Sequence, residues 1–246
     1  MSFGGTQALR GVDLTVAVGE TVAVIGPNGA GKTSLFNCLT RSYRIDAGEI
    51  ELDGESITAM PDFTVARRGV ARTFQHPVLF PEMTVADNIG FGFDLTRPVG
   101  YFSALLRPGK VKSVADDRRR RVEEILDTVG LAAMAGVHAG ELPQGHRRLV
   151  ELGRALATNP KLLLLDEPVA GLNDRESEHF AELLRSVQEE AGISILLIEH
   201  DMPFVLGLAD RVVVLNFGQV IATGSAAQIQ TDPRVIEAYL GPSVES

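Results

Sequence analysis

Cysteine, net positive charge and long apolar runs are what this chain has least of. A single cysteine in 246 residues, Cys38, excludes an intrachain disulfide. Its neighbours Leu35, Phe36 and Leu39 mark it as a small buried filler. The formal net charge of -9 argues against a nucleic-acid partner, because a protein that neutralises phosphate backbones carries a basic face and a basic total. No apolar run approaches the ~20 residues of a membrane-spanning helix. Residues 1–20 lack a charged start followed by an apolar stretch and a cleavage site. The expectation is a chain on the cytoplasmic side, attached to a membrane only through a partner. Low-complexity segments and solenoid-length repeats are also missing, and 45% hydrophobic content is ample for a sizeable core.

Against that background the apolar residues are ordered. The runs TVAVI (21–25), LLLLD (162–166), ISILLI (193–198) and RVVVLN (211–216) read as buried strands of a largely parallel sheet. Val122, Ile125, Leu126 and Val129 share one face of a helix, as do Phe180, Leu183, Leu184 and Val187. The class is therefore α/β. Two segments read instead as hairpins, GEIELDGESI around Asp53-Gly54 and VVVLNFGQVIATG around Phe217-Gly218. Between about residues 60 and 146 the strand pattern fades, and this stretch reads as an inserted helical subdomain. The run Arg118 to Arg121 invites a polyanion reading, but Asp116, Asp117, Glu123 and Glu124 around it favour a solvated helix start.

GPNGAGKTS, comprising Gly26, Pro27, Asn28, Gly29, Ala30, Gly31, Lys32, Thr33 and Ser34, lies between a predicted strand and a predicted helix. This is the setting that a phosphate-binding loop needs. Glycines let backbone N–H groups converge on phosphate oxygens, and the helix that follows adds its positive end. Lys32 then reaches the β- and γ-phosphates, and the Thr33 hydroxyl binds Mg²⁺. A chance Gly-rich turn is the bland alternative. LLLLDEP supplies a buried strand ending in Asp166, suited to holding Mg²⁺ through water, and Glu167, suited to polarising an attacking water. An acidic pair before Pro168 also fits a helix N-cap, and it is the presence of the loop that favours catalysis.

With these residues in place, the sequence resembles the ATP-binding subunit of ABC transporters. RTFQ sets Gln75 at that family's Q-loop, and IEHD sets His200 at its switch histidine. The resemblance implies a P-loop core of about residues 1–74 and 159–246, an antiparallel β subdomain within 1–60 and a helical subdomain of about 75–158. It implies ATP and Mg²⁺ as cofactors, with Thr33, Gln75 and Asp166 on the metal and Glu167, His200 and Gln75 in catalysis. It also implies head-to-tail pairing with a second ATP-binding subunit, each nucleotide lying between one phosphate loop and the partner's signature motif. The signature here is LPQGHRRLVELGRAL from Leu142, in which Pro143, Gln144 and His146 depart from the usual LSGGQ and Gly145 is kept. Pro143 offers no hydroxyl, so binding there falls to the Gly145 N–H and to a helix expected to start at Arg147.

VAGLND puts Asn173 where that family often has aspartate. Phe3 stands at the adenine-stacking position. The strand that the family has before that aromatic is expected to be missing here, through an alternative start or an upstream codon.

RRGVARTFQHPVLFPEMTVADNI, the YFSALLRPGK insertion, LLIEHDM and the tail DPRVIEAYLG resemble the G-type ATPase of branched-chain amino acid importers in particular. Its implied partners are two transmembrane permease subunits and an extracytoplasmic solute-binding protein. Val78, Leu79 and Phe80 are expected to form an exposed apolar groove for a permease helix, with burial in the core as the alternative.

Overall fold

The computed structural model describes residues 2–3, 6–75, 78–97 and 108–240. Two short antiparallel ladders stand apart from the main sheet. Strands β1 (Ser2–Phe3) and β2 (Thr6–Gln7) pair antiparallel, and β4 (Glu51–Leu52) pairs with β5 (Glu55–Ser56) across the Asp53-Gly54 turn. Both turn residues have positive φ, 53° and 75°, as the tight hairpin read from Asp-Gly requires.

The main sheet has six strands: β3 (Thr21–Ile25), β6 (Val70–Arg72), β7 (Leu162–Asp166), β8 (Ser194–Ile198), β9 (Arg211–Asn216) and β10 (Gln219–Gly224). Their order is β10-β9-β3-β8-β7-β6, and every pairing is parallel except β9 with β10. β6 is the strand that sequence patterning missed, because Val-Ala-Arg is too short to show a period.

Side chains alternate between the two faces of this sheet. Ala23, Ile25, Leu163, Leu165, Ile195, Leu197, Val212 and Val214 enter one core, while Val22, Val24, Leu164, Leu196, Ile198, Val213 and Leu215 enter the other. Burial on both faces is the reason the strands read as unbroken apolar runs. Helix α1 (Lys32–Leu39) covers the second face with Leu35, Phe36 and Cys38. The first face is covered by α5 (Gln144–Ala157), α6 (Asp174–Ala191) and α7 (Met202–Leu208).

The short helix α2 (Asp62–Arg67) precedes β6. Between β6 and β7 the chain passes through α3 (Val85–Thr96), α4 (Pro108–Thr128) and α5. Small residues let α3 and α5 approach closely: a Cβ on Gly92 would lie 2.0 Å from the Arg154 carbonyl oxygen. Arg118 to Arg121 sit inside α4 and not at its start, which begins ten residues earlier at Pro108. They form ion pairs with Asp116, Asp117 and Glu124, acidic neighbours that the solvated reading relied on, and with Asp94. After β10, α8 (Ala226–Thr231) and α9 (Pro233–Leu240) complete the chain's described part. Among the described residues no helix is long and apolar enough to cross a membrane.

Candidate nucleotide site

Four segments named from the sequence converge because each follows the C-terminal end of a parallel strand, the edge at which open α/β sheets bind ligands. The phosphate loop follows β3, Gln75 follows β6, Asp166 and Glu167 close β7, and His200 follows β8.

The loop is shaped by its glycines. Gly26 has φ 151°, and a Cβ there would lie 2.1 Å from the Leu215 carbonyl oxygen. Gly31 has φ 104°, and its Cβ would lie 2.6 Å from the Ala8 carbonyl oxygen. The same carbonyl blocks Gly218, in the β9-β10 turn. The Gly218 N–H donates to the Ala30 carbonyl at 2.8 Å, and the Arg10 N–H donates to the Gly218 carbonyl at 2.7 Å. The loop is thus clamped from outside by Ala8 to Arg10 and by the distant hairpin, a support that sequence reading did not assign. From α9 the Tyr239 phenol also meets the Gly26 backbone by a hydrogen bond, and burial pushes its pKa up.

The Lys32 ammonium donates to the carbonyls of Gly26 (2.6 Å) and Pro27 (3.2 Å). Burial pulls its pKa down, opposed by the nearby Glu167 and Asp166 carboxylates. Thr33 is exposed at the first turn of α1, with Asn28 and Gly29 exposed beside it and Ser34 half-buried. α1 has no side-chain cap, so no capping side chain takes the N–H groups of its first turn, a ready anion site when combined with the Lys32 charge.

Asp166 is buried and accepts from Arg72 at 2.8 Å, while Arg72 also donates to Asn37 at 2.6 Å. That pair fixes the Asp166 carboxylate at the sheet edge. Glu167 has φ 48°, a backbone region that is costly for a residue with a Cβ and that collects at functional sites. The turn is held by Glu167 N–H to Ile198 O (2.9 Å) and Ala170 N–H to Glu167 O (3.2 Å). The Gln75 amide donates to Glu167 Oε2 at 2.7 Å, and His200 Nδ1 lies 3.8 Å from Glu167 Oε1. Gln75, Glu167 and His200 therefore come together as expected. The oxygen donors Thr33 and Asp166 suit Mg²⁺, which takes few protein ligands and completes its shell with phosphate and water. Among the described residues no three His, Cys, Asp or Glu side chains gather that could hold a metal.

The signature turn differs from expectation. α5 starts at Gln144, three residues before the expected Arg147, because Pro143 at φ -59° and ψ 159° serves as its N-cap. Arg147 N–H already bonds to Pro143 O, so the N–H groups of Gln144, Gly145 and His146 are the ones without intrahelical acceptors. A Cβ on Gly145 would lie 2.8 Å from Glu176 Oε1, the tip of a side chain that could swing aside. Asn173 caps α6 in a reciprocal box with Glu176, so its side chain serves the helix end. The Phe3 backbone lies in β1, and its side chain falls outside what is described, as do residues 98–107 of the insertion. Val78 and Phe80 are 61% and 41% exposed, Phe80 packs edge-on against Phe91, and Leu79 rests against the core.

Buried charges are what the sequence reading passed over. Arg148, Glu151 and Glu199 are each 3% exposed or less. Glu199 accepts the N–H groups of Val169, His200 and Asp201, tying the ends of β7 and β8 together. The available signal was a charged residue inside an apolar run, as in ILLIEH and LVELG. Desolvation pushes the Glu199 pKa above the ordinary 4.5, against the pull of those N–H donors. The folded protein thus holds this proton more tightly than the unfolded chain, so the group's contribution to stability is present below 4.5 and is lost as pH rises through the raised value. Urea unfolding of Glu199→Gln should show a stability difference from wild type that shifts in the variant's favour as pH rises from 4.5 to 8. A difference constant across that range would contradict the assignment.

A family model described as ABC transporter matches residues 9–170. This chain belongs to the ABC transporter family. A second model, described as branched-chain amino acid ATP-binding cassette transporter, matches residues 219–241, which span β10 to α9. The high-affinity branched-chain amino acid transport ATP-binding protein LivG of Escherichia coli K12 is 42% identical, over 98% of this chain and 94% of its own length. The corresponding protein BraF of Pseudomonas aeruginosa is 40% identical over the same shares. The crystal structure of a nucleotide-free ATP-binding cassette from an ABC transporter superposes with a TM-score of 0.84 at 33% identity, covering 98% of this chain and 96% of that one. Like the ATP-binding proteins of its family, this ABC cassette is an ATPase coupled to transport.

Proposed function

We propose that this ABC cassette hydrolyses Mg-ATP to drive import of branched-chain amino acids. The observation that carries the substrate class is the joint match to LivG and BraF over nearly the whole chain together with the C-terminal branched-chain model over residues 219–241. The catalytic roles rest on geometry. In this reading Gly26 to Ser34 wrap the phosphates with Lys32 on the β- and γ-phosphates, and Thr33, Asp166 and Gln75 hold Mg²⁺. The ion supplies charge neutralisation at the γ-phosphate. Glu167 takes the proton of the attacking water, and His200 contacts the γ-phosphate end of the site. Phe3 stacks on adenine. The turn from Pro143 to His146 faces the nucleotide of a second ATP-binding subunit through the open N–H groups of Gln144, Gly145 and His146.

Two transmembrane permease subunits complete the assembly, one of them inserting a helix into the apolar groove that residues 78–80 of this chain form. Asn88 fixes that segment's shape through bonds to Phe80, Met83 and Thr84. An extracytoplasmic solute-binding protein delivers the amino acid, and the cassette sits peripherally on the cytoplasmic face of the membrane. ATP-driven closure of the paired cassettes shifts the permease between its two access states.

Reconstitution of the chain with its candidate permeases, sister ATPase and binding protein in vesicles should give ATP-dependent leucine uptake. Uptake of urea with no uptake of leucine would move the substrate class to amides and overturn this reading.

A further inference from the structure

Arg148 lies in the second turn of α5, buried between two segments that are distant in sequence. Its guanidinium donates to the carbonyls of Phe74 (3.0 Å), Gln75 (2.5 Å) and Ala170 (3.3 Å). The Gln75 side chain donates to Glu167 Oε2, and the Ala170 N–H donates to the Glu167 carbonyl. These contacts close a ring: Arg148 to Gln75, Gln75 to Glu167, Glu167 to Ala170, and Ala170 back to Arg148. The ring is anchored on the signature side too. Gln144 Nε2, in the first turn of α5, donates to the same Ala170 carbonyl at 3.2 Å, in space left by Gly171, where a Cβ would lie 2.4 Å from that nitrogen. Glu151 holds the Q-loop from below, accepting the Phe74 N–H at 3.0 Å.

The geometry points to Arg148 as a positioning residue that passes the state of the signature turn to the Gln75–Glu167 pair of the same subunit. This rests on the reading of Glu167 as the base. A helix is stiff along its axis, so a shift of the Gln144 turn on meeting the partner's nucleotide carries Arg148 with it. Arg148 grips backbone on both sides of the pair, and so the shift changes whether Gln75 or water occupies Glu167 Oε2. Lysine keeps the charge but lacks the planar fork that bridges three carbonyls.

The test uses Arg148→Lys and, as a surface change that leaves the core intact, Gln144→Ala, each alone and combined with Gln75→Ala. Arg148→Lys is expected to lower kcat by about ten- to a hundredfold, since small misplacement of a reacting group has effects of that size. ATP affinity, measured with the hydrolysis-blocked Glu167→Gln background, should stay within about twofold, because the phosphate loop is untouched. With Gln75→Ala already present, Arg148→Lys and Gln144→Ala should each cost less than about twofold more, the non-additivity expected of a single linked unit. Losses that multiply in the double variants would overturn the proposal and leave Arg148 a packing residue. Hydrogen exchange on Arg148→Lys should rise in peptides covering residues 70–75 and 166–173 together, whereas a rise spread evenly over α5 would overturn it. If the wild type hydrolyses no ATP, the proposed function fails, and the exchange result still decides the ring.

Discussion

Glu167→Gln should lower ATP turnover by about 10²- to 10⁴-fold, the range associated with loss of a general base, while ATP binding persists. The substitution keeps the side chain's volume, so the positive-φ turn at the end of β7 stays supported by its bonds to Ile198 and Ala170. What goes is the carboxylate on which Gln75 and His200 converge at 2.7 and 3.8 Å. Single-turnover hydrolysis with the purified chain and its partners measures the effect. Turnover within about threefold of wild type would mean that another group activates the water, and Asp166, bonded to Arg72, would become the next candidate.

Gly31→Ala is expected to damage nucleotide binding more than Gly29→Ala, although both change one residue of the same loop by one methyl group. Both glycines have positive φ, 81° at Gly29 and 104° at Gly31, so each alanine meets conformational strain, on the order of 1–2 kcal/mol where the left-handed region is imposed. Only Gly31 meets a second obstacle. Its Cβ would lie 2.6 Å from the Ala8 carbonyl, which is backbone and is itself packed against Gly218, whereas nothing lies within 4 Å of a Cβ on Gly29. Relief requires Ala8 to Arg10 and the β9-β10 turn to move, and with them the bonds that fix Ala30. ATP affinity should fall at least tenfold further for Gly31→Ala than for Gly29→Ala by isothermal titration, a difference of about 1.4 kcal/mol that falls to the backbone clash only Gly31 meets. Equal losses would mean that the outer clamp contributes nothing to the loop's shape.

Most of the candidate site residues were legible because each belongs to a local pattern. Gly26 to Ser34 announce themselves by glycine spacing between strand and helix, and Asp166 and Glu167 by four leucines before them. Gln75 and His200 entered through resemblance, since a Gln after an apolar pair carries no chemical signal alone. The structure then placed the Gln75 amide on Glu167, a contact across 92 positions of sequence. Arg148 and Glu151 escaped notice because a charge within a helical stretch does not say which distant segment covers it, and their bonds to the backbone of Phe74 and Gln75 appear only in the fold. The start of α5 was misplaced for a related reason. Pro143 is poor inside a helix but well suited to its edge, and which edge it marks depends on φ and ψ.

By itself the sequence determined the α/β class, both hairpin turns, the buried strands and the phosphate loop, because each follows from period, turn chemistry or the conformational freedom of glycine over fewer than about fifteen residues. Tertiary structure alone decided the sheet order, the edge strand β6, the clamp on Gly31 by Ala8 and Gly218, and the ring through Arg148. Those depend on which distant segments come within hydrogen-bonding distance, and that is fixed by burying both faces of one sheet at once, a condition on the whole chain that no local pattern carries.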